Sequence, residues 1–208
     1  MQYRRTAFLL GAVALGLMAG GRVASAQDGA TIKIIYPFAA GGPPDAVVRV
    51  LADKLQTSLK QTIIVDNRTG ASERIGVNAV KNAAPDGTTI LYTPFAAMTL
   101  YPYSFKSLDY DSFSDFLPLS QIVTYDFAIA VGPSVPAKNP QEMVAWLKAN
   151  PDKTQFGSPG AGALPHFFGI LLGKTAEIEL THVAYRGTAP GLPDLLSGQI
   201  PIFFVQNQ

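Results

Sequence analysis

The sequence predicts an α/β protein built on parallel-rich sheets, because short apolar runs alternate with amphipathic stretches from residue 31 onward. A second observation agrees: three of the passages from an apolar run into an amphipathic stretch are glycine-bearing loops, with proline at the start of the stretch. A third is the absence of cysteine, so no disulfide framework or thiolate site organises the chain, and a packed core must hold it.

The elements follow in order. Thr31 to Tyr36 reads as a strand. Asp45 to Leu59 reads as a helix, with Val47, Val48, Leu51, Leu55 and Leu59 on one stripe and Arg49, Asp53, Lys54 and Gln56 facing away. Thr62 to Asp66 is a second strand and Gly76 to Ala83 a second helix, after which Pro85-Asp86-Gly87 turns into a strand over Thr88 to Thr93. From Phe95 to Leu117 aromatic and polar residues follow no clean period. Leu119 to Thr124 and Phe127 to Val131 read as β runs. Asn139 caps a helix with Pro140 in its first position and Met143, Trp146 and Leu147 on one face. Gln155 to Ser158 is a strand, Pro165 to Gly173 a helix, Ile178 to Val183 a strand, Ala189 to Leu196 a helix and Ile200 to Val205 a strand. Pro193 then falls inside a helix and Pro201 inside a strand, where each removes a backbone donor. A domain boundary is expected near Ile122 to Tyr125, dividing 27–123 from 124–208.

Residues 1–26 read as an export signal. Arg4 and Arg5 supply the positive end, Phe8 to Gly21 the apolar run, and Ala24-Ser25-Ala26 the small-residue cleavage pattern. The run is short of the roughly 20 apolar residues of a membrane span, and no later segment is long and apolar enough, so the mature chain is expected not to insert in a membrane. The paired arginines fit twin-arginine export, but Phe8 stands one residue later than in that motif, so general secretion stays equally open. Loss of Arg4, Arg5 and Arg22 takes the basic residues from 16 to 13 against 15 acidic ones, a net charge of −2. With no basic cluster, nucleic acid and anionic membrane surfaces are excluded as partners.

The chemistry is expected in the three loops. Phe38-Ala39-Ala40-Gly41-Gly42-Pro43-Pro44-Asp45 lets the backbone turn tightly and approach a ligand, since glycine carries no Cβ. Amides at the start of the following helix, with the positive end of its dipole, would suit an anion without any basic side chain. The second loop, Phe156-Gly157-Ser158-Pro159-Gly160-Ala161-Gly162-Ala163-Leu164-Pro165-His166, adds the Ser158 hydroxyl; in the third, Tyr185-Arg186-Gly187-Thr188-Ala189-Pro190, Thr188 stands as N-cap before a helix. A plain strand-to-helix turn is the alternative reading of the first loop. Phe156-Gly157-Ser158-Pro159-Gly160 has the composition of a nucleophile elbow but Phe156 in place of its first glycine. A serine hydrolase pairing Ser158 with His166 or His182 is therefore the competing class. No cofactor motif is complete: Pro165 breaks the dinucleotide pattern begun by Gly160-Ala161-Gly162, so no cofactor or metal is expected.

In order and spacing, several runs resemble the substrate-binding proteins of tripartite tricarboxylate transporters, the Bug family. They are Pro37 to Asp45, Val65-Asp66-Asn67-Arg68-Thr69-Gly70-Ala71, Ala84-Pro85-Asp86-Gly87, Pro133 to Lys138, Gly157-Ser158-Pro159-Gly160, His182 to Gly187 and Asp194 to Gln199. The resemblance spans about Ile32 to Phe204. It implies a type II periplasmic binding protein, two lobes closing like a flytrap over a small carboxylate, located in the periplasm, not an enzyme, with membrane transporter subunits as the further partners to expect. It implies ligand contacts at Phe38, Ala39, Ala40, Gly41, Gly42 and Asp45, at Thr93 and Phe95, and in the second lobe at Ser158, Gly160, Ala161, Gly162, His166, Thr188 and Ala189. Glu73 and Arg74 depart from it, standing where the family tends to have glycine and a small polar residue at the rim of the cleft. The family also continues for about another third of a chain, so the resemblance implies that this sequence is cut short and its first lobe incomplete. A fragment of that family without a working cleft is the other alternative.

Overall fold

The computed structural model describes residues 29–207; the expected export signal lies outside them. Two sheets organise the chain. The first is a three-stranded parallel sheet in the order β2-β1-β3, formed by β1 (Ile32–Tyr36), β2 (Ile63–Asn67) and β3 (Thr89–Leu91). The second has the order β4-β7-β5-β6, from β4 (Asp126–Val131), β5 (Gln155–Ser158), β6 (Thr181–Ala184) and β7 (Ile202–Asn207). Its β5 pairs are parallel and its β4–β7 pair antiparallel, so the prediction of parallel-rich sheets holds.

Helix α1 (Pro43–Leu59) crosses from β1 to β2. Its prolines occupy the first two positions, where no intrahelical amide bond is lost. Pro44, Asp45, Val48 and Ala52 are its buried face, with Leu55 packed at the edge, while Leu59 at the foot of the predicted stripe is exposed. That face meets Ile34, Tyr36 and Ile63 in the core of the first sheet. Helix α2 (Arg74–Lys81) follows β2, and a Cβ on its Gly76 would lie 2.8 Å from that of Pro37, so α2 presses directly on the end of β1.

The aperiodic stretch after β3 makes two single-turn helices, α3 (Ala96–Thr99) and α4 (Tyr101–Ser104). Ala96, Ala97, Tyr101 and Tyr110 form a separate core against Val77 of α2, with no helical or strand period to announce it. The β run expected over 119–124 does not form. The ladder of β4 with β7 begins at Asp126 opposite Asn207, and no described strand runs beside 119–124, where Leu119 and Ile122 are 70% and 44% exposed.

Helix α5 (Pro140–Ala149) starts as predicted: the Asn139 side chain accepts from the Glu142 amide at 2.9 Å, while the Glu142 carboxylate accepts from the Lys138 amide. Its Met143 and Leu147 pack with Phe156, Ile202 and Phe204 under the second sheet, against helix α6 (Leu164–Ala176). The stretch 189–197 is not one helix. A 3-10 turn over Ala189–Gly191 passes into α7 (Leu192–Ser197), which puts Pro193 in the first turn of α7 and removes the expected misfit. Pro201 likewise stands just before β7, and its carbonyl accepts from the Gly132 amide.

Candidate functional site

The first loop is shaped by one carboxylate. Asp45 is buried, and its oxygens accept from the Gly41 amide at 3.1 Å, from the Arg49 guanidinium at 2.9 and 3.1 Å, and from the Asn67 side-chain amide at 3.0 Å. Asn67 also donates to the Phe38 carbonyl. Burial alone would raise the Asp45 carboxyl, but these donors outweigh it and hold it below its ordinary value. Asp45 therefore sits with the loop as a brace, its oxygens turned onto the protein. Gly41 has φ of 94°, a left-handed conformation that glycine adopts freely.

The helix start differs from expectation in one respect. Pro43 and Pro44 bring no amide, and the Gly42 carbonyl accepts from both the Asp45 and Ala46 amides. Among the described residues, it is the loop amides of Phe38, Ala40 and Gly42 that lack a protein partner. In the second loop the Gly162 amide donates to His166 Nδ1 at 3.1 Å and the Ala163 amide to the Gly160 carbonyl, which leaves the Gly160, Ala161 and Leu164 amides without a partner among the described residues. The Thr188 side chain makes no capping bond, contrary to its expected role, because its backbone is already helical at φ −69° and ψ −46°.

The three loops meet. The Tyr185 and Gly187 amides donate to the Ser158 and Pro159 carbonyls, joining the second loop to the third. The Ala39 amide donates to the Arg186 carbonyl at 2.9 Å, joining the third to the first, and a Cβ on Gly41 would stand 3.8 Å from that of Ala189. Phe105 lies on Gly162, where a Cβ would come within 2.9 Å of its ring. Phe38 and Phe95 on one side and Pro159, Ala163 and Pro165 on the other enclose a space of about 10 Å³, room for one water-sized atom, so a larger occupant requires the sides to part.

Glu73 and Tyr125 also line that space. Glu73 is 3% exposed, and accepts from Tyr101 at 2.7 Å and Thr93 at 2.9 Å. Burial drives its carboxyl up to about 7 from an ordinary 4.5, against the pull of those two hydroxyls. Thr93, expected as a ligand contact, thus has its hydroxyl directed at Glu73.

Ser158 and His182 come together as the hydrolase reading requires, Oγ to Nε2 at 2.7 Å. However, Ser158 is fully buried and also donates to the Gly160 carbonyl at 3.1 Å. The same proton can serve His182 Nε2, the nearer of its two acceptors. No carboxylate orients His182 among the described residues, and His166 stacks on it at 3.9 Å. Burial, then His166, pushes His182 down to about 4 from 6.5. The pair fastens the second loop to β6.

The family described as tripartite tricarboxylate transporter family receptor matches residues 47–207. The chain belongs to this receptor family. A UPF0065 protein of Bordetella bronchiseptica is 34% identical over 194 residues, covering 93% of this chain and 57% of that one. The solved periplasmic binding protein BugD superposes with a TM-score of 0.77 at 33% identity, over 85% of this chain and 58% of its own. MatC from Rhodopseudomonas palustris, solved with bound malate, gives a TM-score of 0.77 at 27% identity over 85% of this chain and 60% of its own. The fold is that of the periplasmic binding proteins, and the chain spans a little over half the length of these receptors.

Proposed function

We propose that this receptor-family chain captures a small carboxylate, exported to the periplasm by residues 1–26 and delivering its ligand to membrane transporter subunits. The observation that carries the reading is the meeting of three glycine-bearing loops, two of which carry amides without a protein partner among the described residues, beside a space lined by no lysine or arginine. Main-chain donors of this kind suit a carboxylate without a basic side chain. Residues 27–123 and 124–208 act as the two lobes, with Phe38 to Gly42 and Phe95 on one and Ser158 to His166 with Thr188 and Ala189 on the other. Malate in MatC supports the ligand class.

Calorimetry against carboxylates, neutral sugars and simple amines tests the reading. Binding of at least one carboxylate, weakened tenfold or more in Gly42→Val, is the expected result; binding confined to neutral sugars overturns it. The Ser158–His182 contact favours a hydrolase as a second reading. Ester hydrolysis that disappears in Ser158→Ala would establish it against the receptor.

A further inference from the structure

Glu73 is a buried carboxylate with no cation beside it. None of the ion pairs among the described residues includes it, and the guanidinium of its sequence neighbour Arg74 is spent on the Ala71 carbonyl and the face of Phe105. An ionised group in a water-poor site is costly unless a counter-charge meets it. Two hydroxyls, Tyr101 and Thr93, each donate to a different oxygen, which stabilises the anion but supplies no positive charge.

The backbone that carries Glu73 is also forced. Ala71, Ser72 and Glu73 have φ of 47°, 52° and 71°, three successive non-glycine residues in the left-handed region. Each costs on the order of 1 kcal/mol or more and persists where the surroundings dictate it, most often at ligand sites. The strain and the burial point the same way: this side chain is held in the wall of the cleft. Beside it the Tyr125 hydroxyl lines the same space, is buried and has no partner among the described residues. Glu73, which accepts only from two neutral hydroxyls, and the unpartnered Tyr125 hydroxyl oxygen thus line one space with no cation beside them.

We propose that Glu73 is a specificity-determining residue, and that with Tyr125 it selects a carboxylate that also bears an ammonium group. The inference rests on the carboxylate reading above and names its ligand more narrowly. The loop amides take the ligand's carboxylate, and its ammonium donates to Glu73 and to the Tyr125 oxygen, supplying the counter-charge. A ligand with a second carboxylate there would meet Glu73 as a like charge.

Ligand pairs that differ by the ammonium test this: L-alanine against propionate and L-glutamate against glutarate, titrated into the whole chain. The expected result is at least a tenfold preference for the aminated member of one pair. That preference disappears in Glu73→Gln and in Glu73→Gly, the second of which also relieves the backbone and so guards against a folding failure. Tyr125→Phe lowers it severalfold. The preference also falls from pH 8 to pH 6 in the wild type and stays level in Glu73→Gln. Tyr36, Tyr101, Tyr110 and Tyr125 around Glu73 are all raised and stay neutral in that range. Propionate or glutarate binding as well as its aminated partner, or a preference that survives Glu73→Gln, overturns the inference and leaves the carboxylate reading standing. Binding of no carboxylate, with or without an ammonium, overturns both.

Discussion

On the side of the first sheet, the loop beside the cleft is held by polar groups: Asp45 gathers the Gly41 amide, Arg49 and Asn67, and Asn67 reaches on to Phe38. On the side of the second sheet, the corresponding work falls to rings set into glycine. A Cβ on Gly191 or Gly157 would lie 2.1 or 2.4 Å from the Phe203 ring, and one on Gly169 would lie 2.1 Å from Phe156. The difference has a physical consequence. A hydrogen-bonded brace responds to charge and pH, whereas a ring in a slot responds to volume and hardly to pH.

The sharpest way to break the contrast is Phe203→Ala. Phe203 is fully buried, and its loss should lower the unfolding free energy by about 3–5 kcal/mol. Urea unfolding at pH 7 and pH 5 should show the same loss at both. A loss that changes with pH would show that the second side also depends on charge.

Asp45→Asn tests the other side, with an expected loss of about 1–3 kcal/mol at pH 7. Asp45 is held below its ordinary value of 3.8, so its contribution is present above that pH and is lost as pH falls through the lower folded value. The difference between wild type and Asp45→Asn should therefore shrink in strong acid. Equal melting of the two proteins at pH 7 would show that the loop keeps its shape without the brace.

The smallest effect belongs to His182. Its folded pKa of about 4 lies below the unfolded 6.5, so the unfolded chain binds the extra proton between these values and stability falls as pH drops across that window. Glu73, raised to about 7, has the opposite slope between 4.5 and 7, which masks the trend in the wild type alone. The informative quantity is the melting difference between wild type and His182→Gln, measured from pH 7 to pH 4. It should move in favour of the variant as pH falls; a level difference would place His182 in a wetter setting than its burial implies.

Much of the contrast could be read from residue order. The cap at Asn139, the strand over Gln155–Ser158 and the three loops are local features, specified by neighbours within a few residues, and they stand where the sequence put them. Asp45 was legible as part of the first loop, but its direction was not, because Asn67 lies 22 residues away on β2. Glu73 showed itself as an odd residue at the rim. Its burial depends on Thr93 and Tyr101, 20 and 28 residues further on, one beside a strand and one in an aperiodic stretch that has no pattern to read. The left-handed turn of Ala71 and Ser72 that aims it inward has no sequence signal either, since neither residue type favours that conformation. The split of 189–197 escaped notice because a 3-10 turn and an α-turn share the same apolar spacing over so few residues.

The bond from the Ala39 amide to the Arg186 carbonyl is the sole main-chain link between the first loop and the third among the described residues. Such a bond is worth about 0.5–1.5 kcal/mol net. The main chain by itself thus sets almost no brake on separation of the loops, and what keeps the seam shut is side-chain contact of the kind Phe105 makes with Gly162. Contact of that sort has no directional bond to break, so it can slide and re-form. The seam is closer to a zipper fastened by one tooth than to a weld.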